Sequence, residues 1–340
     1  MIRAGIVGVT GYAGEILLEL LLGHRGVIVT HLSAKVDAPQ EISEIFPKFK
    51  NRIDLICDQP DLEVIKKNCD LVFLALPHTV SQNIAPALLK TGKRVIDLSA
   101  DYRLKDPKVY QDFYRTKHKD KANLKTAVYG LPELCRNNIK DALLVANPGC
   151  YPTAAVLALA PLVALGIIDP DSIIIDAKSG VTGAGRKVAE GLLFSEINED
   201  FKAYKVNIHQ HMPEINQTLS KLATKKIKVT FVPHLLPLSR GILETIYVKK
   251  TKLHKSRRAD LLGLYKKFYK KEPFVRIKAK GHNPRLKDVV GTNYCDIGIQ
   301  EFSDRLIIVA VIDNLLKGAS GQAVQNMNIM YNFCEKTGLV

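Results

Sequence analysis

Unbroken apolar runs alternate with stretches of helical periodicity through the first 150 residues of the chain. Residues 3–9 predict a strand that runs into closely spaced glycines, and the spacing then predicts a helix over Tyr12–Leu22. Val27–Leu32, Cys69–Leu76, Arg94–Leu98 and Ala142–Ala146 predict further strands, with a helix over Val80–Lys90. Strands that lack polar alternation and are separated by helices belong to a parallel sheet buried on both faces. Beyond residue 150 the pattern changes. One long apolar helix is predicted over Tyr151–Leu165. Strands of mixed alternation follow over Ser172–Lys178, Lys226–Val232, Gly241–Lys249, Tyr294–Gln300 and Arg305–Ile312. This half reads as an α+β domain on a mostly antiparallel sheet, and a final helix runs from about Gly318 to Lys336.

Composition narrows the class. With 340 residues, 46% hydrophobic and 24% charged, the chain is long enough for two packed domains and is neither disordered nor of low complexity. The longest nearly apolar stretch, Ala154–Ile168, is broken by Pro161 and Gly166 and is too short to span a bilayer. The chain enters a patterned strand at once, without the regions of a leader, so a cytoplasmic location is expected. The six cysteines, at 57, 69, 135, 150, 295 and 334, show no CxxC or paired spacing. Reduced thiols are expected, with neither a disulfide framework nor a metal site. Charge is uneven: 49 basic against 34 acidic residues give a net +15. Between Lys249 and Lys287, fifteen Lys/Arg stand against only Asp260 and Glu272. Leu261, Leu262, Tyr265, Phe268 and Tyr269 recur there at helical spacing, so the segment reads as an amphipathic helix with a solvated basic face. Nucleic acid is not expected as its partner.

Three motifs carry chemistry. Gly8-Val-Thr-Gly11-Tyr-Ala-Gly14 lies between the first strand and the first helix. Glycines there permit a tight turn and bring backbone N–H groups to a pyrophosphate, which makes Gly8, Thr10, Gly11, Tyr12, Ala13 and Gly14 candidate dinucleotide contacts. At the end of the second strand, where an acid would take the ribose hydroxyls of NAD, the chain has Ser33 and Lys35. A hydroxyl and a cation suit a 2′-phosphate and favour NADP. In the second motif, Asn147-Pro-Gly-Cys150 opens the apolar helix, where the positive end of the macrodipole stabilises a thiolate. Cys150 is the candidate nucleophile, whereas Cys57, Cys69 and Cys334 read as buried structural cysteines. The third motif, His209-Gln-His211, reads as an extended segment with both rings on one side. Without a third ligand, the pair suits acid–base work better than metal. A dinucleotide site, an activated cysteine and a histidine together indicate thiol-based chemistry on an aldehyde or acyl phosphate.

These motifs, together with ALPH (75–78), DLSADYRL (97–104), YGLPEL (129–134), NPGCYPTA (147–154), SGVTGAGR (179–186), HQHMPEI (209–215), PHLLPLSRGI (233–242) and KGASGQAVQNMN (317–328), run in order from end to end. On them the chain resembles the N-acetyl-γ-glutamyl-phosphate reductases of arginine biosynthesis, of the longer type, which are related to the aspartate-semialdehyde dehydrogenases. The resemblance implies an α/β fold: an NADP-binding Rossmann domain over residues 1–148, completed by about 313–340, and an α+β catalytic and oligomerisation domain of the semialdehyde dehydrogenase type over 149–312. It implies that Cys150 attacks the γ-acyl phosphate and expels phosphate, that NADPH reduces the thioester, and that His211, or alternatively His209, is the acid–base group. Arg103 is implied to bind phosphate, a structural salt bridge being the other reading, and Asn147, Arg186 and Arg240 are further substrate-binding candidates. Ser179, Gly180 and Gly183 are implied to shape the loop beside the nicotinamide or substrate, with Pro77 and Asn314 as cofactor contacts. A homo-oligomer, dimer or tetramer, is implied.

Two rivals remain on the sequence alone. One is the lysine-pathway reductase that acts on aminoadipyl phosphate attached to an acidic carrier protein, which the basic segment would suit. The other is a non-catalytic homologue that binds nucleic acid through residues 249–287, which leaves the intact Cys150, His211 and glycines unexplained.

Overall fold

A computed structural model describes residues 1–251 and 260–340; the part of the basic stretch at 252–259 lies outside the described residues. The chain divides into two compact units, Met1–Pro148 with Ala319–Val340, and Gly149–Gly318. Residues 313–318, expected with the C-terminal return, belong to the second unit. Their turn is held there by Asp313, whose carboxylate accepts the Leu315 and Leu316 N–H groups and whose carbonyl accepts that of Gly318.

In the first unit, β1 (Ile2–Val7), β2 (Val27–Ser33), β3 (Gln40–Glu41), β4 (Ile56–Asp58), β5 (Leu71–Leu74), β6 (Arg94–Asp97), β7 (Val128–Tyr129) and β8 (Leu144–Ala146) form one sheet. Its order is β3-β4-β2-β1-β5-β6-β8-β7, parallel except for β3 against β4. The apolar runs are unbroken because alternate residues feed two cores: Ile6, Phe73, Ile96 and Val145 on one face, and Val7, Val72, Leu74, Val95 and Ala146 on the other. The order reverses between β1 and β5, which puts a crevice at their carboxyl ends. The C-terminal helix is shorter than its periodicity predicts. It spans Gly321–Met330 after one π turn at Leu316–Ser320. Asn332 in the left-handed region (φ 57°) stops it, with the Phe333 N–H turned back to the Asn328 carbonyl.

In the second unit, β9 (Ile174–Gly180), β10 (Lys202–Ala203), β11 (Thr230–Leu236), β12 (Ile242–Lys249), β13 (Val275–Ile277), β14 (Cys295–Glu301) and β15 (Arg305–Ile312) form a sheet ordered β10-β11-β9-β12-β15-β14-β13. It is antiparallel apart from the β11–β9 and β13–β14 pairs. The strand expected over Lys226–Val232 begins at Thr230. Ile227 and Val229 instead donate to Ser220 and Asn216 on the Met212–Ala223 helix, which uses up the backbone a ladder would need.

The Cys150–Ala164 helix is apolar on every side and is buried from Tyr151 to Val163. Pro161 lies within it, so the Leu157 carbonyl one turn earlier loses its helical donor. The Tyr269 hydroxyl supplies one at 2.5 Å, and Tyr265 donates to the Ala158 carbonyl. The basic amphipathic segment is thus pinned by its tyrosines: Leu261–Phe268 is helical, Tyr265 and Tyr269 are buried, and Lys266, Lys267, Lys270 and Lys271 face solvent. Tyr269→Phe should therefore leave a buried carbonyl unsatisfied and cost about 1–3 kcal/mol, read as a lower urea midpoint.

Glu244 is a costly buried group. It lies on β12 between Ala177 and Ala310, is wholly buried, and neither carboxylate oxygen has a hydrogen-bond partner among the described residues. Burial pushes its carboxyl well above the ordinary range, against a smaller opposing pull from Lys178. The folded chain keeps this proton at a pH where the unfolded chain releases it. Stability therefore falls as pH rises above the unfolded value, by about 1.4 kcal/mol per pH unit, until the raised folded value is passed. Glu244→Gln abolishes that loss. Its melting temperature should match or trail the native value at about pH 4.5 and exceed it at neutral pH, and a pH-independent difference would contradict this account.

Candidate active site

The glycine turn after β1 is built for close approach. Gly8 has φ 97°, and a methyl group on it would lie 2.3 Å from the Ala75 carbonyl oxygen at the end of β5. A methyl on Gly14 would lie 2.2 Å from the Gly8 carbonyl oxygen. Gly11 caps the Tyr12–Leu22 helix with no side-chain cap bond, and a methyl there would meet nothing nearer than 3.6 Å. The helix N-terminus therefore has room and donors for a pyrophosphate, so the residues present fit a dinucleotide. Ser33 departs from expectation. Its side chain is wholly buried, and it serves the turn through its carbonyl, which accepts the Gly8 and Val9 N–H groups. Lys35 is exposed just beyond it, as is Pro77 beyond β5.

Two predicted contacts are engaged in internal bracing. Asn147 is fully buried; its amide donates to the Ala319 carbonyl and accepts from Asn326, both within the first unit. Asn314 accepts the Gly241 N–H and donates to Thr182 within the second unit, so it does not return to the first. Arg103 is also buried. It donates to the carbonyls of Asn147 and Leu98 at 2.7 Å each, and so braces the turn that leads to Cys150. Arg186 is exposed, and Arg240 is partly exposed, 3.8 Å from the buried Asp313 carboxylate.

In the second unit, Gly149 caps the long helix and Cys150 is its first residue, partly exposed. The Gly149 N–H donates to the buried Glu214 carboxylate at 2.9 Å, and its carbonyl accepts from Thr153. His209 and His211 do not lie on an extended segment. They occupy a turn in which the His211 N–H donates to His209 Nδ1 and the Met212 N–H to the His209 carbonyl. The rings are still neighbours, with centroids 4.9 Å apart. Their settings differ. His209 packs among Tyr151, Tyr204 and Phe231, while His211 lies against Gly149, where a methyl group would come within 2.6 Å of Nε2.

Sequence reasoning missed several parts of this site. The Tyr151 and Tyr204 hydroxyls are 3.1 Å apart. Burial pushes the Tyr204 phenol up to about 12, and a charge on Cys150 acts in the same sense on both tyrosines. Gly318 is the other omission, although it stands in a motif already singled out. A methyl on it would lie 2.7 Å from Cys150 Cβ and 3.2 Å from its Cα. Gly318→Ala must displace Cys150, and we expect kcat to fall at least tenfold with slower alkylation of its sulfur. Native alkylation and turnover in this variant would show that the contact is slack. Ser179 and Gly180 close β9. Gly180 packs against the Leu238–Arg240 backbone and leaves no room for a side chain. Cys57 and Cys69 are buried as expected, whereas Cys334 is exposed because it follows the helix stop. No group of three metal-ligating side chains occurs, and no helix is long and apolar enough to cross a membrane, among the described residues.

Comparisons with known proteins agree over the whole length. Residues 3–142 match the semialdehyde dehydrogenase NAD binding domain, and residues 150–314 match the semialdehyde dehydrogenase dimerisation domain. Aspartate semialdehyde dehydrogenase II from Vibrio cholerae has the same fold, with a TM-score of 0.72 at 17% identity over 98% of this chain and 99% of that one. The Candida albicans aspartate semialdehyde dehydrogenase solved with NADP also gives 0.72, at 16% identity over 97% of this chain and 98% of that one. Closer in sequence is an N-acetyl-gamma-glutamyl-phosphate reductase from Desulfotalea psychrophila, 50% identical over 100% of this chain and 98% of its own. Another from Geobacter metallireducens is 48% identical over the same shares. By this end-to-end likeness, the chain belongs to the N-acetyl-gamma-glutamyl-phosphate reductase family.

Proposed function

We propose that this protein reduces N-acetyl-γ-glutamyl phosphate to N-acetylglutamate semialdehyde and phosphate with NADPH, as a cytoplasmic homo-oligomer serving arginine biosynthesis. The observation that carries this reading is Cys150, partly exposed at the start of a helix buried from Tyr151 to Val163, with His211 packed against the preceding glycine. Cys150 Sγ attacks the acyl carbon and phosphate leaves, forming a thioester. Bound NADPH supplies the hydride to that carbon. His211 holds a proton at the carbonyl oxygen as the tetrahedral centre forms, and takes it back as the carbon–sulfur bond breaks and the thiolate is released. His209 sets the turn that aims His211. Glu214 anchors Gly149 and so fixes where the sulfur begins. Lys35 is the cation for a 2′-phosphate, and Arg240 and Arg186 are the anion-binding positions for the phosphoryl group. The dimerisation domain supports the oligomer, whose contact face is the outer side of the second sheet, where Ile174 and Tyr247 are exposed.

The test is the reverse assay. Free N-acetylglutamate semialdehyde with phosphate and NADP⁺ should yield NADPH, followed by its absorbance. Turnover confined to aminoadipyl substrate on a carrier protein would overturn the choice of substrate.

A further inference from the structure

One backbone outlier borders the dinucleotide crevice. Thr79, in the turn that follows β5, has φ 73°, a conformation that a β-branched residue adopts only under constraint. The constraint is visible. Asp101, wholly buried after β6, accepts the Thr79 N–H at 2.6 Å through Oδ1 and the Gln82 N–H at 3.0 Å through Oδ2. The Tyr110 hydroxyl donates to Oδ1 at 2.8 Å, and His118 bonds the Asp101 carbonyl. A second tie runs in parallel, from the Ala100 N–H to His78 Nδ1 at 3.1 Å.

The held turn has a functional address. β1 and β5 flank the point where strand order reverses, and the end of β5 touches Gly8 so closely that no side chain fits between them. Residues 76–79 are therefore the β5 rim of the crevice, opposite the glycine turn at 8–14. Asp101 also fills the start of the Ser81–Leu89 helix, whose own cap residue Val80 makes no side-chain bond. An internal carboxylate at that helix N-terminus excludes a second anion from it. The Tyr12–Leu22 helix, which follows the adjacent strand β1, has no such occupant from its cap residue, so the pyrophosphate is directed to it.

We infer that Asp101 is a positioning residue for the cofactor: it holds the 77–80 turn in its strained form and reserves the anion site for the glycine turn. The inference rests on the dinucleotide reading of the first unit and needs nothing from the acyl-phosphate substrate. NADPH binding, measured by fluorescence titration on the full-length protein without substrate, tests it. Asp101→Asn should weaken NADPH at least tenfold, and Thr79→Gly, which relaxes the backbone without touching the buried carboxylate, should weaken it about fivefold at an equal or higher melting temperature. Tyr110→Phe removes the bond to Asp101 Oδ1 and a longer one from Gln82 Nε2 but neither backbone tie, and should bind within twofold of the native protein. Iodoacetamide labelling of Cys150 should be unchanged in all three. If Thr79→Gly and any folded Asp101→Asn bind NADPH within twofold of native, Asp101 is a packing residue and the inference fails. If the native protein itself binds neither NADPH nor NADP⁺, the dinucleotide reading fails first and takes the inference with it.

Discussion

Cys150→Ser should retain the fold and NADPH binding while turnover falls by orders of magnitude. A serine hydroxyl in the same place is not an anion at neutral pH, and the helix N-terminus that favours a thiolate has no comparable charge to act upon. The substituted oxygen meets the same Gly149 cap and the same Glu214 anchor, so the loss would belong to the sulfur and not to a disturbed turn. Alkylation supplies the second measurement. Cys57, Cys69 and Cys295 are buried, and burial pushes the Cys57 thiol up to about 11. Cys334 is exposed and is the proper control for simple access. Iodoacetamide should label Cys150 faster than Cys334, and peptide mapping of a time course decides it. Substantial turnover by the serine variant would sink the covalent route.

For His211→Asn we expect kcat to fall by about 10²–10⁴-fold, the usual reach of acid–base catalysis. His209→Asn should do less, because that ring is held inside the turn and packed among Tyr151, Tyr204 and Phe231. The two steps separate the roles. A burst of phosphate from the acyl phosphate reports thioester formation and should survive in His211→Asn if the helix alone sustains the thiolate. The later aldehyde release should not. A larger loss in His209→Asn than in His211→Asn would reverse the assignment and leave the nucleophile untouched.

Much of this was legible along the chain because the physics is local. Apolar runs in the first half are continuous since each strand feeds two cores, as Ile6 and Val7 do on β1. The glycine turn and Cys150 at a helix start follow from neighbours a few positions away. Local reasoning failed where a partner from far along the chain decides a residue's state. Asn147 and Asn314 look like ligand contacts in their motifs, yet their amides already bond Ala319, Asn326, Gly241 and Thr182. The histidine pair looked extended, but a turn bond from His211 to His209 bends it and leaves only one ring against Gly149. Periodicity could not place Gly318 beside Cys150, nor Asp101 beneath Thr79, since both contacts form only when the elements pack. The amino-acid sequence by itself determined most of the elements, the two-layer burial and the place of Cys150 at a helix start, because periodicity and helix-start signals act over a few residues. Only the tertiary structure decided which polar groups are free to meet a ligand, because a buried amide or carboxylate takes whichever partner the fold delivers.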